Sequence, residues 1–99
     1  PRTEDGVLIA HTLLVDGFGN AALDATCEQL GGEPGAAVEV EAGDGRHRAT
    51  RATTFARGGP GELLLYCDSN GMLALAINRG DAATTLGLRP GSEVRLRRR

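Results

Sequence analysis

Short apolar runs separated by turns rich in glycine, proline and asparagine recur along the whole chain. The first run, Val7–Val15, is rich in residues that favour strands and stops at the turn-forming segment Asp16–Asn20. Ala37–Ala42 alternates apolar and acidic residues, and a Gly-Asp-Gly turn joins it to the basic segment Arg46–Thr54. This pairing predicts a hairpin with glutamates opposite arginines, and the spacing of short strands predicts an all-β domain.

The most apolar part of the chain predicts a central hairpin. The run Leu63–Cys67 meets four consecutive turn formers, Asp68–Gly71, before a second apolar run, Met72–Ile77. Asn78–Gly80 follows, and Asp81 then opens a helical segment. We therefore expect this end of the hairpin to offer free backbone groups beside a helix N-terminus, a place where small polar ligands bind.

Two short helices are predicted from their capping residues. The segment Thr26–Leu30 begins with the capping box T-x-x-Q and is followed by Gly31 and Gly32, which supply the stop. The segment Asp81–Leu86 begins with an acidic N-cap residue and ends at Gly87.

An internal repeat indicates how these elements are arranged. Leu30–Val40 aligns without gaps with Leu86–Leu96, at a constant offset of 56 residues, and each copy contains a helix end, a Pro-Gly turn and a strand. A single duplication is too short for a solenoid, so we interpret the copies as two equivalent corners of a closed sheet. The predicted fold is a small closed antiparallel β-barrel with two short helices.

The length of 99 residues corresponds to one domain. Residues 1–6 are polar and are interpreted as a linker or a frayed start, residues 7–96 as the barrel, and residues 97–99 as a solvated basic tail. No apolar run approaches the roughly 20 residues that a membrane span requires, and no signal peptide is recognisable, so we expect a soluble cytoplasmic protein without membrane partners.

Charge and cysteine usage exclude several classes of function. All 11 basic residues are arginines, the 13 acidic residues leave a net charge of −2, and no basic stripe with interleaved aromatics is present, so nucleic acid is not an expected partner. Cys27 and Cys67 belong to no C-x-x-C motif, which argues against a zinc or redox site and favours two buried free thiols. His11 and His47 are assigned structural or surface roles, and no metal site is expected.

The loop D-G-F-G-N, Asp16–Asn20, is the first candidate for binding chemistry. Without context it is an ordinary strand-ending turn, since Asx residues and glycine dominate turns. Two of its side chains suit a purine, however. The amide of Asn20 can pair with both a donor and an acceptor of adenine, and an exposed Phe18 offers a stacking face.

Three motifs in order carry a resemblance to a known family. They are Val15–Asn20, the segment Pro60–Leu63 preceded by a phenylalanine, and Asp68–Ala83 followed by Leu86–Leu88. Together they resemble the C-terminal domain of the S-adenosylmethionine (SAM) hydroxide adenosyltransferases, relatives of the fluorinase. The resemblance extends from about Gly6 to Leu96.

The resemblance implies a trimeric two-domain enzyme that needs no cofactor. It would bind SAM between the N-terminal domain of one subunit and the C-terminal barrel of its neighbour, and water or halide would displace methionine from the ribose carbon. The implied contacts are Asp16 with the methionine ammonium, Ser69 with the methionine carboxylate, Phe55 and Asn20 with adenine, and the backbone at Asn78 and Arg79 with the adenine edge. The groups that activate water are expected in the N-terminal domain, so this chain should hold no catalytic residue and no complete active site.

Two positions depart from the family pattern. Asn70 stands where fluorinase-like members carry arginine, which favours water over halide, and Asp24 replaces an asparagine. Ser69 lacks a histidine in any recognisable nucleophile motif, which argues against a self-contained hydrolase. The alternative from another class is a free-standing barrel that binds a partner through its loops without catalysis.

Overall fold

The computed structural model describes residues 1–43, 45–52 and 59–99. These residues form eight strands and two helices: β1 Arg2–Glu4, β2 Val7–Val15, β3 Ala21–Thr26, α1 Cys27–Leu30, β4 Ala37–Ala42, β5 Gly45–Ala52, β6 Leu63–Cys67, β7 Met72–Ile77, α2 Ala82–Leu86 and β8 Glu93–Arg98. Within these ranges no helix is both long enough and apolar enough to cross a lipid bilayer.

Seven of the strands close into a barrel, as the sequence predicted. Their order around the sheet is β2-β3-β7-β6-β5-β4-β8, and β8 returns to pair with β2. The extra strand, β1, pairs with the start of β2 through Arg2 and Ile9 and through Glu4 and Val7. Closure gives β2 and β8 neighbours on both sides, so the barrel leaves few strand edges exposed.

The alternation of apolar and polar residues determines which side of each strand faces the core. In β4, Val38 and Val40 are fully buried, whereas Glu39 and Glu41 lie on the outer face. Glu39 is opposite Arg48 of β5 on one side and an arginine of β8 on the other, which confirms the predicted hairpin of glutamates and arginines. The barrel interior is filled by aliphatic side chains, and the largest that are fully buried include Leu23, Leu65, Leu73, Leu75 and Leu96.

Both predicted helices are present and their caps explain their bounds. Thr26 is the N-cap residue of α1, and it exchanges hydrogen bonds with Gln29 in a complete capping box. Asp81 is the N-cap residue of α2, and Gly87 ends this helix with a left-handed φ of 71°. Each helix therefore begins one residue after the predicted start, because the first residue of each predicted segment is the cap.

The two copies of the sequence repeat meet in the barrel wall. Their strands, β4 and β8, are antiparallel neighbours, and Val40 pairs directly with Leu96. These two residues occupy equivalent positions in the repeat. The two copies are therefore related by an approximate local two-fold axis through the Val40–Leu96 pair.

Two features of the barrel differ from the expectations. The pairing of β5 with β6 is parallel, with Thr50 opposite Leu64, so the barrel is not antiparallel throughout. Cys27 and Cys67 form a disulfide rather than two free thiols. Because β7 separates β3 from β6 in the sheet, the two cysteines lie near each other only after three strands have paired.

The chain ends are also more ordered than the sequence indicated. Arg2–Glu4 forms an exposed edge strand in place of a linker or frayed start. Strand β8 continues to Arg98, and the side chain of Arg99 forms an ion pair with Glu39. Much of the segment interpreted as a solvated basic tail is therefore part of the barrel wall.

Candidate functional site

The Asp16–Asn20 loop is held in shape by the Asp16 carboxylate. Its Oδ1 accepts hydrogen bonds from the backbone N–H of Phe18 (2.9 Å) and of Asn20 (3.0 Å), and its Oδ2 accepts one from Asn20 Nδ2 (3.1 Å). The Asp16 N–H in turn donates to the carbonyl of Asn20 (3.0 Å). The loop is therefore ordered by its own residues.

These donors keep the Asp16 carboxylate ionised. The backbone hydrogen bond from Asn20 is the largest influence on the Asp16 pKa and lowers it, and the bonds from Phe18 and the Asn20 side chain act in the same direction against a partial loss of hydration. A carboxylate offers about four acceptor positions, of which these three bonds use three. Asp16 can therefore still accept a hydrogen bond from a cation.

The side chains of Asn20 and Phe18 remain available on the same loop. Asn20 donates one N–H to Asp16, which leaves its second N–H and its Oδ1 as a donor and acceptor pair. Such a pair matches the edge of adenine. Phe18 is 81% exposed, so its ring presents a face to solvent, as the sequence predicted.

The turn after β7 forms the other side of this site. Gly80 N–H donates to Ile77 O (3.0 Å), and Arg79 adopts a left-handed φ of 59° between them. The backbone of Asn78 is already engaged, because its N–H donates to Glu62 O (3.1 Å) and its carbonyl accepts from Gly61 N–H (2.7 Å). A ligand at this turn would therefore meet the Arg79 backbone or the second lone pair of the Asn78 carbonyl.

Gly19 joins the loop to the start of α2. Its carbonyl accepts the N–H of Ala83 (2.9 Å), and its Cα approaches the Asp81 carboxylate so closely that a Cβ atom would overlap it. Loop and turn together line a cavity of about 560 Å³, whose walls are formed by Phe18, Asn20, Ile77, Asn78, Arg79 and Gly80. The structure thus brings three predicted site residues, Asn20, Asn78 and Arg79, to one cavity.

The first N–H groups of α2 are hydrogen-bonded within the domain. The N–H of Ala83 donates to the carbonyl of Gly19, and the N–H of Thr84 donates to the Asp81 side chain (2.9 Å). Free backbone groups were predicted at the end of the hairpin beside this helix, and there the N–H groups of Asn78 and Gly80 are both hydrogen-bonded, so the prediction is wrong for these two donors.

Ser69 lies at the opposite end of β7, in the turn Asp68–Gly71. Asp68 Oδ1 accepts from the N–H of Asn70 (2.8 Å) and of Met72 (3.0 Å), and Asp68 O accepts from Gly71 N–H (3.1 Å). Within the described residues no hydrogen bond uses the Ser69 hydroxyl, and Ser69 is exposed. The Ser69 hydroxyl therefore faces solvent at this turn.

No role was predicted for Tyr66, whose pKa is influenced by carboxylates of both predicted segments. Its pKa is raised chiefly by burial, and further by the negative charges of Asp16 and Asp68. Across the sheet Tyr66 is opposite Ala74, which is opposite Ala22. Its position as the chain's single tyrosine, just before the Asp68 turn, was the available signal.

The predicted site residues that the structure describes therefore lie at the two ends of β7. The six residues of β7 span about 17 Å, with the Ser69 turn at one end and the Asn78–Arg79 turn at the other. Phe55, the remaining predicted adenine contact, lies outside the described residues. A second depression of about 450 Å³, on the outer face of β4 and β5, contains none of the predicted site residues.

Potential metal ligands are not clustered in this part of the protein. Within residues 1–43, 45–52 and 59–99, no group of three or more His, Cys, Asp or Glu side chains is arranged to hold a metal ion.

Comparison with known proteins identifies the family of the chain. The family model of the SAM hydroxide adenosyltransferase C-terminal domain matches residues 10–95. The chain belongs to this family. The match includes the Asp16–Asn20 loop, the Asp68–Gly71 turn and the Asn78–Gly80 turn, so all three segments lie within the SAM hydroxide adenosyltransferase C-terminal domain.

Curated relatives of this domain carry the same name in two genera. The chain is 41% identical over 95 residues to the (R)-S-adenosyl-L-methionine hydrolase of Salinispora tropica, covering 96% of this chain and 34% of the relative. It is 38% identical over 86 residues to the (R)-S-adenosyl-L-methionine hydrolase of Thermus thermophilus, covering 87% of this chain and 31% of the relative. The chain therefore spans about a third of the length of these relatives.

Solved structures support the same fold. An uncharacterised conserved protein from Thermotoga maritima superposes with a TM-score of 0.91 at 31% identity, over 97% of this chain and 38% of that one. A conserved hypothetical protein from Thermus thermophilus gives a TM-score of 0.67 at 35% identity, over 89% of this chain and 34% of that one.

Proposed function

We propose that this domain is the substrate-binding part of a SAM hydrolase that converts SAM and water to adenosine and L-methionine. The observation that carries the proposal is the cavity of about 560 Å³ lined by Asn20, Asn78 and Arg79, in a chain that belongs to the SAM hydroxide adenosyltransferase C-terminal domain family. The Ser69 turn, at the other end of β7, offers an exposed hydroxyl for the amino-acid part of the ligand. A ligand with a purine at one end and an amino acid at the other suits this arrangement.

The proposed contacts are those that the family resemblance implies, and they suit the chemistry of the groups involved. The ionised Asp16 would bind the methionine ammonium through its fourth acceptor position, and the Ser69 hydroxyl would donate to the methionine carboxylate. The donor and acceptor pair of Asn20 and the backbone at Asn78 and Arg79 would read the adenine edge. Phe55 would stack on the adenine ring, a role inferred from the family resemblance.

The groups that activate water would come from the remaining two thirds of the protein. The curated relatives are about three times as long as this chain, so most of each relative lies outside the matched region. Leu13 and Leu14 are each 54% exposed at the end of β2, next to the Asp16 loop. Apolar side chains beside a half-open site suit coverage by another protein surface, which we assign to the N-terminal domain of a neighbouring subunit in a cytoplasmic homotrimer.

The test uses the complete protein that contains this chain. Purified protein should release adenosine and methionine from SAM in equal amounts, and chloride or fluoride should give no halogenated nucleoside, because Asn70 replaces the family's arginine. The assay should compare both sulfonium epimers, since the relatives are named for the R form. If neither epimer is bound or cleaved, the proposal is wrong and the domain is a non-catalytic interaction module.

Variants at the adenine end make the test specific. Asn20→Ala and Phe55→Ala should each weaken the binding of both SAM and adenosine by about tenfold or more, since a base contact or a stacking ring contributes about 1–3 kcal/mol. Asn70→Ala is the matched control, because its exposed side chain makes no hydrogen bond within the described residues. Equal affinities in all four proteins would place adenine elsewhere.

A further inference from the structure

The Cys27–Cys67 disulfide lies directly beside the turn that holds Ser69. Cys67 is the last residue of β6 and immediately precedes Asp68, while Cys27 is the first residue of α1. Their Cα atoms are 5.9 Å apart, well within the range of an ordinary disulfide. The bond therefore joins the Ser69 turn to the start of a helix that is 40 residues away in sequence.

A hydrogen bond makes the same connection a second time. The N–H of Cys27 donates to the carbonyl of Gly71 (3.0 Å), the last residue of the turn. The turn is thus attached to α1 at both of its ends, through the disulfide at Cys67 and through the backbone at Gly71. The bonds inside the turn are all made by the carboxylate and backbone of Asp68, so they do not depend on the sulfurs.

Loss of the disulfide should therefore move the turn without unfolding it. The Asp68 network would keep the local shape, and the Cys27–Gly71 hydrogen bond would remain as a weaker attachment. The position of Ser69 relative to Asp16 would be less well defined. If the turn must be ordered when the ligand binds, this ordering costs free energy and lowers the affinity. Reduction of the disulfide should therefore weaken ligand binding.

We propose that the Cys27–Cys67 disulfide is a redox-controlled brace that sets the affinity of the Ser69 turn for the carboxylate end of its ligand. The inference rests on the proposed function, since it concerns regulation of that site. Both cysteines are only half-buried, so a small dithiol can approach them. A thiolate of the dithiol attacks one sulfur of the Cys27–Cys67 bond, which breaks that bond, releases the other cysteine as a thiolate and leaves a mixed disulfide. The second thiol of the reductant then attacks the reductant's own sulfur in the mixed disulfide and releases the remaining cysteine. Two electrons and two protons pass to Cys27 and Cys67, and the reductant leaves as a cyclic disulfide.

The experiment measures affinity in both redox states of the complete protein. SAM and adenosine are titrated calorimetrically into air-oxidised protein and into protein reduced with dithiothreitol. The number of free thiols in each sample is measured by alkylation and mass spectrometry. Reduction should weaken SAM binding at least threefold and leave adenosine binding within a factor of two, because adenosine has no carboxylate. Reoxidation should restore the original affinity.

The double variant C27S/C67S is the matched control. It should bind SAM like the reduced protein, and dithiothreitol should not change its affinity. If that variant does not fold, recovery of the original SAM affinity when the reduced wild type is reoxidised takes its place as the control. Equal SAM affinity in the oxidised and fully reduced wild type would overturn the brace while leaving the proposed function intact. Absence of SAM binding in both states would instead overturn the proposed function, and the brace with it.

Discussion

Gly19 and Asp81 lie so close together that only a residue without a side chain fits between the Asp16–Asn20 loop and helix α2. Asp81 cannot simply rotate away, because its carboxylate caps the helix by accepting the N–H of Thr84 (2.9 Å). The contact therefore fixes the loop that carries Asp16 and Asn20 against the turn that carries Arg79. The shape of the cavity depends on this one point of packing.

Replacing Gly19 with alanine should displace the loop. The new Cβ would overlap the Asp81 carboxylate, and φ of +82° disfavours alanine, so we expect a loss of about 1–3 kcal/mol in stability and weaker binding of adenosine. Gly17→Ala is the matched control, since a Cβ there meets nothing within 4 Å and φ is not left-handed. Thermal melts and adenosine titrations should separate the two variants. Similar behaviour of both would show that the contact does not position the loop.

Removal of the Asp16 charge should affect SAM and adenosine differently. Asp16→Asn keeps an oxygen for the backbone N–H groups of Phe18 and Asn20 and loses only the bond from the Asn20 side chain, so the loop backbone should hold its shape. A hydrogen bond to a charged group contributes about 1.5–3 kcal/mol, so SAM affinity should fall by about tenfold or more. Adenosine, which has no ammonium, should bind nearly as well as to the wild type. An equal loss for both ligands in calorimetric titrations would point to a damaged loop instead.

The pH dependence of binding follows from the lowered pKa of Asp16. Because the pKa of Asp16 is lowered in the folded protein, its carboxylate stays ionised at every pH above the ordinary range of an aspartate. The attraction of this carboxylate for a ligand ammonium is lost only when the pH falls through the lowered pKa. The ratio of SAM affinity to adenosine affinity should therefore be constant between about pH 7 and pH 5. It should fall above about pH 8, where the ligand's α-amino group loses its proton. A decline of the ratio from pH 7 to pH 5, absent in Asp16→Asn, would contradict this assignment.

Ser69→Ala should weaken SAM binding without changing the fold. The Ser69 side chain is exposed and makes no hydrogen bond within the described residues, so the melting temperature should stay the same. Loss of a hydroxyl donor to a carboxylate should cost about tenfold in SAM affinity and nothing in adenosine affinity. Asn70→Ala, one residue further along the same turn, should leave both affinities unchanged. A lower melting temperature for Ser69→Ala would show that the hydroxyl has a structural partner.

The disulfide should also contribute to global stability. A bridge across 40 residues restricts the unfolded chain, and in the chain-entropy account this amounts to about 2–4 kcal/mol. Reduction, or the C27S/C67S change, should lower the melting temperature by roughly 10–30 °C. Melts of the oxidised and reduced protein, with and without the double substitution, would measure this. Identical transitions in both redox states would contradict it.

Local signals in the sequence predicted the elements of the fold well. The Thr26–Gln29 capping box and the left-handed stop at Gly87 belong to single turns of chain, so they determine the helix bounds almost without help from the rest of the protein. The gapless repeat likewise indicated two equivalent corners, and Val40 and Leu96 do meet at the axis that relates them.

Features that depend on the order of the strands in the sheet could not be predicted from such local signals. The disulfide requires β3, β7 and β6 to lie side by side, and the sequence says nothing direct about that order. The parallel β5–β6 pairing is a long-range result of the same kind. The residues of the candidate site came from a family resemblance, whereas their mutual arrangement came from the fold.

The closure of the barrel by β8 has a consequence during protein synthesis. β8 is the last of the strands to leave the ribosome, and it is the one that joins β2 to β4. Until residues 93–98 have emerged, the edges of both strands present unpaired backbone groups to the crowded cell. The growing chain is therefore exposed to aggregation until its final strand is inserted, and truncation before Glu93 should yield an insoluble product rather than a smaller barrel.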